Sequence, residues 1–311
     1  MKKYILKRIV YLFVTLLVIM TATFFLMHSL PGTPFDEDKI SSLSPAQQQQ
    51  IYASYGLDQP VYIQYFKYLG NVFQGDFGTS TLYSGQPVKS ILASRIVPSA
   101  LVGIQAVLVG LAVGLVLGVV AAYKHNTPLD YLTMIVSVLG ISVPNFVVAA
   151  LLQYLFGLKW GLLPVAYWES YASSVLPSLA LSFGVVAQIA RFVRTEMLTV
   201  LQQDYILMAK AKGLSPAKIL MRHALRNSML PVLTILGAIT VNVLTGSLAV
   251  ESIYSVPGIG SLFVDTIKAN DYSTILGLTV FYSAFYVVVI LIIDVLYCVI
   301  DPRIRLAPAK E

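Results

Sequence analysis

The sequence has few charged residues and a single cysteine, and both shortages restrict what the protein is. Charged residues make up 12% of the 311 positions, about half the share of a water-soluble domain, while hydrophobic residues make up 57%. A water-soluble core cannot hold that much apolar surface, so the composition indicates a membrane protein. The lone Cys298 excludes an intrachain disulfide and a thiolate metal cluster.

Sequence patterns for three other functions are also missing. No stretch matches the phosphate-binding pattern Gly-x-x-x-x-Gly-Lys-Ser/Thr, so the chain is not expected to hydrolyse ATP by itself. The net charge of +6 does not indicate nucleic-acid binding, because the basic residues lie mostly between apolar runs. The histidines His28, His125 and His223 fall at separate places in the predicted topology, and no metal site is predicted.

Six apolar stretches are long enough to cross a bilayer as helices. About 20 helical residues span a hydrocarbon core of about 30 Å. The stretches lie at 9–30, 97–123, 131–158, 175–193, 228–250 and 276–300. We therefore predict an all-α membrane protein with six transmembrane helices and both termini on one side.

The basic residues predict which side that is. With the N-terminus inside, the basic residues that fall outside are Lys39, Lys67, Lys89, Arg95, Lys159 and Lys268, and the rest of the 21 lie on the inner side. Most of the outer ones lie in one long loop, where charge has little influence on orientation. The positive-inside rule thus predicts that both termini are cytoplasmic.

Two hydrophilic regions separate the spans, one outside at 31–96 and one inside at about 194–227. The outer region mixes aromatic residues with turn residues such as Gly75-Asp76-Phe77-Gly78, which indicates a small folded extracellular region. We divide the chain into a first helix at 1–30, this region at 31–96, a five-helix transmembrane domain at 97–304 and a tail at 305–311.

The inner region contains a compact helical pattern. Residues 204–216 read DYILMAKAKGLSP, in which helix formers are followed by Gly213 as a terminator, Ser215 as N-cap and Pro216 at the first helical position. The pattern predicts two helices joined by a tight turn. Small residues near the bend favour a surface for a partner, and the alternative is a solvated loop that only fixes topology.

Within the second predicted span, Gly110, Gly114 and Gly118 recur every four residues, and Ala122 extends the row. One face of that helix therefore has almost no side chains, so that another helix can approach closely. The neighbour is either a helix of the same chain or a helix of a second, partner chain.

Polar residues inside the spans are candidates for lining a pathway: Asn145, Gln153, Gln188, Asn242 and Thr245. Hydrogen bonding between helices is the alternative for each. Pro144 and Pro177 are expected to bend or open spans. Asp294 is the one acidic residue within a predicted span, whereas gradient-driven carriers usually bind their coupling ion through ionisable residues near mid-membrane.

Several further motifs point to one family. They are LPGTP at 30–34, RIVP at 95–98, HALRN at 223–227, PGIG at 257–260 and DPR at 301–303. With the 204–216 segment, they resemble type I ABC importer permeases of the binding-protein-dependent dipeptide, oligopeptide and nickel family, and within it the B-type oligopeptide subunit. The chain departs from the general Glu-Ala-Ala motif, since Tyr205 and Ile206 replace its start, and this variant is itself similar to the peptide branch.

The resemblance implies a type I permease fold and a coupling segment that sits in a groove on an ATPase. The coupling residues it implies are Asp204, Tyr205, Ala209, Ala211, Lys212, Gly213, Leu214 and Ser215. The implied partners are a second permease, two ATPase subunits that hold ATP and Mg, a peptide-binding protein outside a bacterial plasma membrane, a peptide substrate and membrane lipid. The alternatives are import of nickel or another small solute, and a stand-alone gradient-driven carrier.

Overall fold

The computed structural model describes residues 2–29, 40–54 and 56–300, and these are almost entirely helical. The LPGTP and DPR motifs and the 305–311 tail lie outside the described residues. So do the side chains of Asp294 and Cys298, together with those of residues 2–8, Leu230, Leu296, Tyr297, Val299 and Ile300.

The helices follow the hydropathy pattern closely. In chain order they are α1 Lys2–Ser29, α2 Pro45–Ser54, α3 Val61–Phe73, α4 Val88–Tyr123, α5 Pro128–Ser142, α6 Asn145–Leu152, α7 Val175–Leu201, α8 Asp204–Ala211, α9 Pro216–Lys218, α10 Leu225–Leu244, α11 Leu248–Ile253, α12 Ile259–Lys268 and α13 Tyr272–Ile300. Wider π-helical turns at Gln153–Lys159 and Ile219–Ala224 continue α6 and precede α10.

Among the described residues, five helical stretches are long and apolar enough to cross a membrane: Ile9–Ser29, Val88–Tyr123, Tyr171–Leu201, Pro231–Ile253 and Tyr272–Ile293. The third predicted span is not one straight helix, because α5 and the segment Asn145–Lys159 are bent by 101° at the break between them. Counting this bent pair as one span gives the six that the sequence predicts.

The bend has a local cause at Pro144. Proline lacks a backbone N–H and disfavours the helical conformation of the residue before it. Val143 is accordingly extended (ψ 122°), and a new helix begins after Pro144 at Asn145. The bend expected at this proline is confirmed. Pro177 lies in the first turn of α7, where a missing N–H leaves no helical bond unmade, and α7 continues through it.

The chain forms two compact units. The first comprises Met1–Val97 and Gly258–Val288. Its core joins Val88, Ile91 and Leu92 of α4 to Ile259, Leu262 and Leu278. The described part of the 31–96 region is folded, and its turn at 79–87 is fastened to the start of α13. There the buried carboxylate of Asp271 accepts hydrogen bonds from the hydroxyls of Ser80 and Thr274.

The second unit comprises Pro98–Pro257 and Val289–Glu311 and has α7 at its centre. One half of α7 packs Leu176, Ala180 and Leu181 against Val102, Val250 and Tyr254, and the other half packs Ile189 and Met197 against Ala122, Ala224 and Val232. Because lipid tails are as apolar as these side chains, close packing rather than removal from water holds such helices together.

A buried tyrosine adds a polar contact to this core. The Tyr254 hydroxyl donates a hydrogen bond to the carbonyl oxygen of Ala149 at 2.7 Å. Burial raises the pKa of Tyr254 above its usual range, so the phenol keeps the proton that it donates. The bond ties the helix after the Pro144 bend to the end of α11.

Candidate functional site

The second unit contains a polar cavity of about 240 Å³. Its walls come from the start of α6, the middle of α7 and the end of α10. The lining residues are Asn145, Leu181, Gly184, Val185, Gln188, Ile239, Asn242, Val243, Gly246 and Ser247. Three exposed amide side chains, those of Asn145, Gln188 and Asn242, therefore meet in one cavity although they lie far apart in sequence.

The Pro144 break is what places Asn145 at the cavity. Asn145 is the first residue of α6, so its position depends on the new direction that the chain takes after the bend. Gly184 of α7 lies opposite, and a Cβ atom there would be 3.4 Å from Oδ1 of Asn145. The absence of a side chain at Gly184 thus leaves the asparagine room within the cavity.

Gln153 and Thr245, also predicted as pathway lining, are not among the residues that line this cavity. The Nε2 atom of Gln153 donates to the carbonyl oxygens of Val165 (2.8 Å) and Ile253 (2.9 Å), so this amide joins two chain segments. The Thr245 hydroxyl donates to the carbonyl of Val241 one turn earlier in its own helix, at 3.0 Å. Gln153 therefore makes the hydrogen bonds between segments that were the alternative interpretation, whereas the bond of Thr245 stays within its own helix.

The row of glycines in α4 packs against α7 of the same chain. A Cβ on Gly110 would lie 2.4 Å from Cγ1 of Val185, and one on Gly114 would lie 2.8 Å from Cβ of Ile189. A Cβ on Gly118 would lie 2.7 Å from the carbonyl oxygen of Ala190. We call this contact the glycine seam. For these three glycines, the neighbouring helix therefore belongs to the same chain.

The predicted helix-turn-helix at 204–216 is present. Helix α8 ends at Ala211, Gly213 adopts φ +75°, and α9 begins at Pro216. The N–H of Leu214 donates to the carbonyl of Ala209 (3.3 Å) and that of Gly213 to Lys210 (2.9 Å), which is the hydrogen-bond pattern of a Schellman motif. Ser215 takes the N-cap position but makes no side-chain capping bond.

A small apolar core holds the turn together. Ile206, Ala209 and Ile219 are buried in it, and Leu201 and Leu214 pack against them. Ala209 therefore faces the chain itself, whereas Asp204, Tyr205, Ala211, Lys212, Gly213 and Ser215 of the predicted coupling set are exposed. The Tyr205 hydroxyl accepts a hydrogen bond from Nδ2 of Asn227 at 2.8 Å, which ties the start of α8 to α10.

Two exposed apolar residues of α8 were not in the predicted set. Leu207 is 59% exposed and Met208 is 60% exposed, on a helix outside the candidate spans. Large apolar side chains on a short solvated helix are typical of an interaction surface. The signal was available in the sequence, because Ile206 and Ala209 share one helical face while Leu207 and Met208 point away from it.

Sequence reasoning also missed an ionic cluster where α5 begins. The buried carboxylate of Asp130 accepts hydrogen bonds from Nε and Nη2 of Arg194, the latter at 2.8 Å. It also accepts the N–H of Asn126 at 3.0 Å and lies 3.0 Å from Nδ1 of His125. The available signal was an acidic residue in the first turn of a predicted helix, but nothing in the sequence indicated which basic residue would face it.

The described residues contain no group of three or more histidine, cysteine, aspartate or glutamate side chains that could hold a metal ion. His28 contacts Gln64 (3.0 Å from Nε2 to Oε1), and His125 belongs to the ionic cluster just described. What the second unit presents is thus a polar cavity within a helical bundle, together with a rigid turn that exposes apolar side chains.

Comparison with solved structures identifies the class of protein to which this fold belongs. A chain of the MetNI methionine ABC transporter, solved in inward facing conformations, matches 68% of this chain and 96% of its own length with a TM-score of 0.57. The two chains share 13% sequence identity, so this likeness shows the fold alone. The fold is that of a type I ABC importer permease.

Comparison with family models identifies the family. Residues 114–306 match the binding-protein-dependent transport system inner membrane component, and residues 1–88 match the N-terminal component of the same systems. The chain therefore belongs to the binding-protein-dependent transport system inner membrane component family. This is a family of multi-pass transporter permeases and not of catalytic subunits.

Relatives match over their full length. The dipeptide transport system permease protein DppB of Lactococcus lactis is 44% identical over 98% of this chain and 100% of its own length. DppB of Bacillus subtilis is 44% identical over 98% and 99%. The oligopeptide transport system permease protein OppB of Escherichia coli K12 is 41% identical over 98% and 100%. Each of the three is named as a permease for peptides.

Proposed function

We propose that this chain is one permease subunit of an ATP-driven importer that carries dipeptides or oligopeptides into the bacterial cytoplasm. The observation that carries the proposal is full-length similarity to peptide permeases in a chain whose polar cavity is lined by amides. In this account a second permease subunit completes the pathway and a peptide-binding protein delivers the substrate.

The chemistry of the cavity suits peptides of varied sequence. Asn145, Gln188 and Asn242 are uncharged, and each amide both donates and accepts hydrogen bonds. A peptide backbone presents the same groups in every residue, so these side chains contact it without selecting one side chain. Leu181, Val185 and Ile239 supply apolar wall between them. A volume of about 240 Å³ accommodates only part of an oligopeptide, which is consistent with a pathway shared by two permeases.

The turn at 204–216 supports a role in coupling. Its Schellman motif and buried Ile206–Ala209–Ile219 core make it a rigid unit, and its exposed Leu207 and Met208 provide an apolar contact for a partner. We propose that α8 sits in a groove on an ATPase subunit, which holds ATP and Mg. Movement of that subunit would then reach α7 and α10, between which α8 lies in sequence. This requires that 194–227 and both termini face the cytoplasm.

The test is co-purification of the tagged chain from its native membrane in mild detergent, followed by mass spectrometry. The wild type is expected to retain a second permease and two ATPase subunits. A Leu207→Asn, Met208→Asn variant should lose the ATPases and keep the second permease, because only the contact on α8 is weakened. A Leu162→Asn variant, changed at another exposed leucine, is the matched control and should retain all of them.

Uptake of labelled di- and oligopeptides into cells that lack their own peptide importers gives a second result. Uptake that requires all subunits and stops in the α8 variant supports the proposal. A chain that purifies alone and still transports would indicate a gradient-driven carrier. Assembly with ATPases together with uptake of nickel but not peptide would leave the coupling role intact and overturn the substrate.

A further inference from the structure

Helix α3 lies within the 31–96 region, which the sequence predicts to be extracellular, yet it packs along the first candidate span. Gln64 contacts His28 at 3.0 Å, and Tyr65 contacts Thr21 at 2.7 Å between hydroxyls. Further along, the ring of Phe73 stacks on that of Phe13 at 6.2 Å between centroids. Rising numbers in α3 thus meet falling numbers in α1, so the two helices run antiparallel.

The length of this contact sets the depth of α3. Phe13 and His28 are separated by about 22 Å of helix at 1.5 Å per residue, and both lie in the candidate span Ile9–Ser29. The hydrocarbon core of a bilayer is about 30 Å thick. Between its contact residues Gln64 and Phe73, α3 itself extends about 14 Å. If α1 crosses the membrane, α3 therefore runs beside it through about half of the hydrocarbon.

The exposed side chains of α3 are those expected of a helix in contact with hydrocarbon. One face carries Tyr62, Phe66 and Phe73, which are 62%, 67% and 63% exposed. Helices in water present their polar face to the solvent, and here the aromatic face points outward instead. The opposite face, with Gln64, Lys67, Tyr68 and Asn71, borders a cavity of about 220 Å³ within the first unit.

The exposed aromatic face also continues an apolar surface on α1. Phe13, Val18, Phe25 and Leu26 are all exposed on that helix, on a segment with no charged residue from Ile9 to Ser29. A large apolar patch on a folded surface marks a contact with lipid or protein. Because the aromatic face of α3 continues the outer surface of a candidate membrane-spanning helix, the expected contact is with lipid.

We propose that α3 is a membrane-embedded helix that re-enters the bilayer beside α1, with Tyr62, Phe66 and Phe73 in contact with lipid acyl chains. The polar face of α3 then borders the cavity in the first unit and not the lipid. Part of the 31–96 region is thus a membrane element, and the outer cap is correspondingly smaller. The inference does not depend on the substrate or on coupling to an ATPase.

Site-directed spin labelling in the complete transporter, reconstituted in phospholipid bilayers, tests the proposal. A Cys298→Ser background removes the natural thiol, and single cysteines are placed at Phe66, at Leu26 of α1 and at Gln49 of α2. The label at 66 is expected to be more accessible to oxygen than to a water-soluble nickel chelate, as at 26, with the reverse preference at 49. A label at 66 that behaves like the one at 49 would place α3 in water and overturn the proposal.

Exclusion of both reagents at 66 would show that a protein subunit covers the aromatic face, and would also overturn the proposal. A second measurement needs no substitution. In the wild-type transporter, a phospholipid with a diazirine on its acyl chain should label the peptide that contains 61–73 as well as that from α1. Labelling of α1 alone would contradict the proposed position of α3.

Discussion

Arg194 donates two hydrogen bonds to the buried carboxylate of Asp130, so the pair joins the first turn of α5 to the last turns of α7. Helix α7 leads directly into α8, and α5 leads through the Pro144 bend to Asn145 at the cavity. The pair therefore adds a direct side-chain contact between the helix that leads into the 204–216 turn and the helix that leads to the cavity wall.

Replacing Asp130 by Asn should lower both stability and transport. Arg194, which is 18% exposed, would lose its counter-charge in a mostly buried setting, at a cost of about 3 kcal/mol. Arg194→Lys should also impair the protein, since an ammonium cannot reproduce the two parallel bonds of a guanidinium. The thermal midpoint of the purified transporter and its peptide uptake are the measurements.

The control for this pair is Arg191→Gln, at an exposed arginine one turn earlier in α7. It should leave the thermal midpoint unchanged. An Asp130→Asn variant as stable as wild type would show that the ion pair has no structural role. If stability falls while the coupling of ATP hydrolysis to uptake is intact, the pair stabilises the fold without transmitting movement.

The glycine seam predicts different outcomes for a glycine that faces a side chain of α7 and one that faces its backbone. Gly110→Ala meets Cγ1 and Cβ of Val185, so adding Val185→Gly, which removes both atoms, should recover part of the lost stability. Gly118→Ala meets the carbonyl oxygen of Ala190, which no side-chain change can remove. Each single alanine should cost about 1–3 kcal/mol by overpacking.

Thermal midpoints of the four variants in the Gly110/Val185 double-mutant cycle provide the measurement. Gly70→Ala is the matched control, because a Cβ there has no heavy atom within 4 Å. Additive effects of Gly110→Ala and Val185→Gly would mean that α4 and α7 do not touch at this point.

Two glutamines in the second unit should respond differently to the same substitution. Gln188→Leu removes an exposed amide from the cavity and is expected to raise the KM for peptide with little change in stability. Gln153→Leu leaves the carbonyls of Val165 and Ile253 without that donor and should lower stability by about 2 kcal/mol. Uptake kinetics and thermal midpoints, measured for both variants, distinguish the two roles. A Gln188 variant with unchanged kinetics would remove this amide from the pathway.

Gly213 should tolerate only residues that accept positive φ. A Cβ there meets no atom within 4 Å, so the cost of a side chain comes from the backbone conformation at φ +75°. That cost is about 1–2 kcal/mol for a residue such as Val and less for Asn, which visits this region more readily. ATPase co-purification and peptide uptake should follow the order Gly, Asn, Val. Equal activity of the Val variant would mean that the Schellman turn is not needed for coupling.

Local patterns were predicted well because their causes are local. Hydropathy located the spans, and Pro144 predicted the break, since a proline removes a donor whatever surrounds it. Gly213, Ser215 and Pro216 placed the turn within one residue. The sequence did not reveal that α5 and α6 would be bent by 101°, because the size of a bend depends on what packs against each side.

The candidate site was predicted only in part. Asn145, Gln188 and Asn242 share a cavity while Gln153 and Thr245 do not, although all five were equally polar residues in apolar segments. Which of them meet depends on the rotation and crossing of three helices. The sequence did not identify the partner of Asp130 either, because Arg194 lies 64 positions away and several other basic residues were available.

The sequence by itself determined that the chain has membrane-spanning segments, how many there are, and where the turn at 204–216 begins and ends. These follow from the cost of apolar surface in water and from backbone preferences that single residues carry. Tertiary structure alone decided that the glycine seam closes on α7, that three amides form one cavity and that α3 presents its aromatic face outward. Each of these depends on contacts between helices far apart in sequence, whose relative rotation no local pattern fixes.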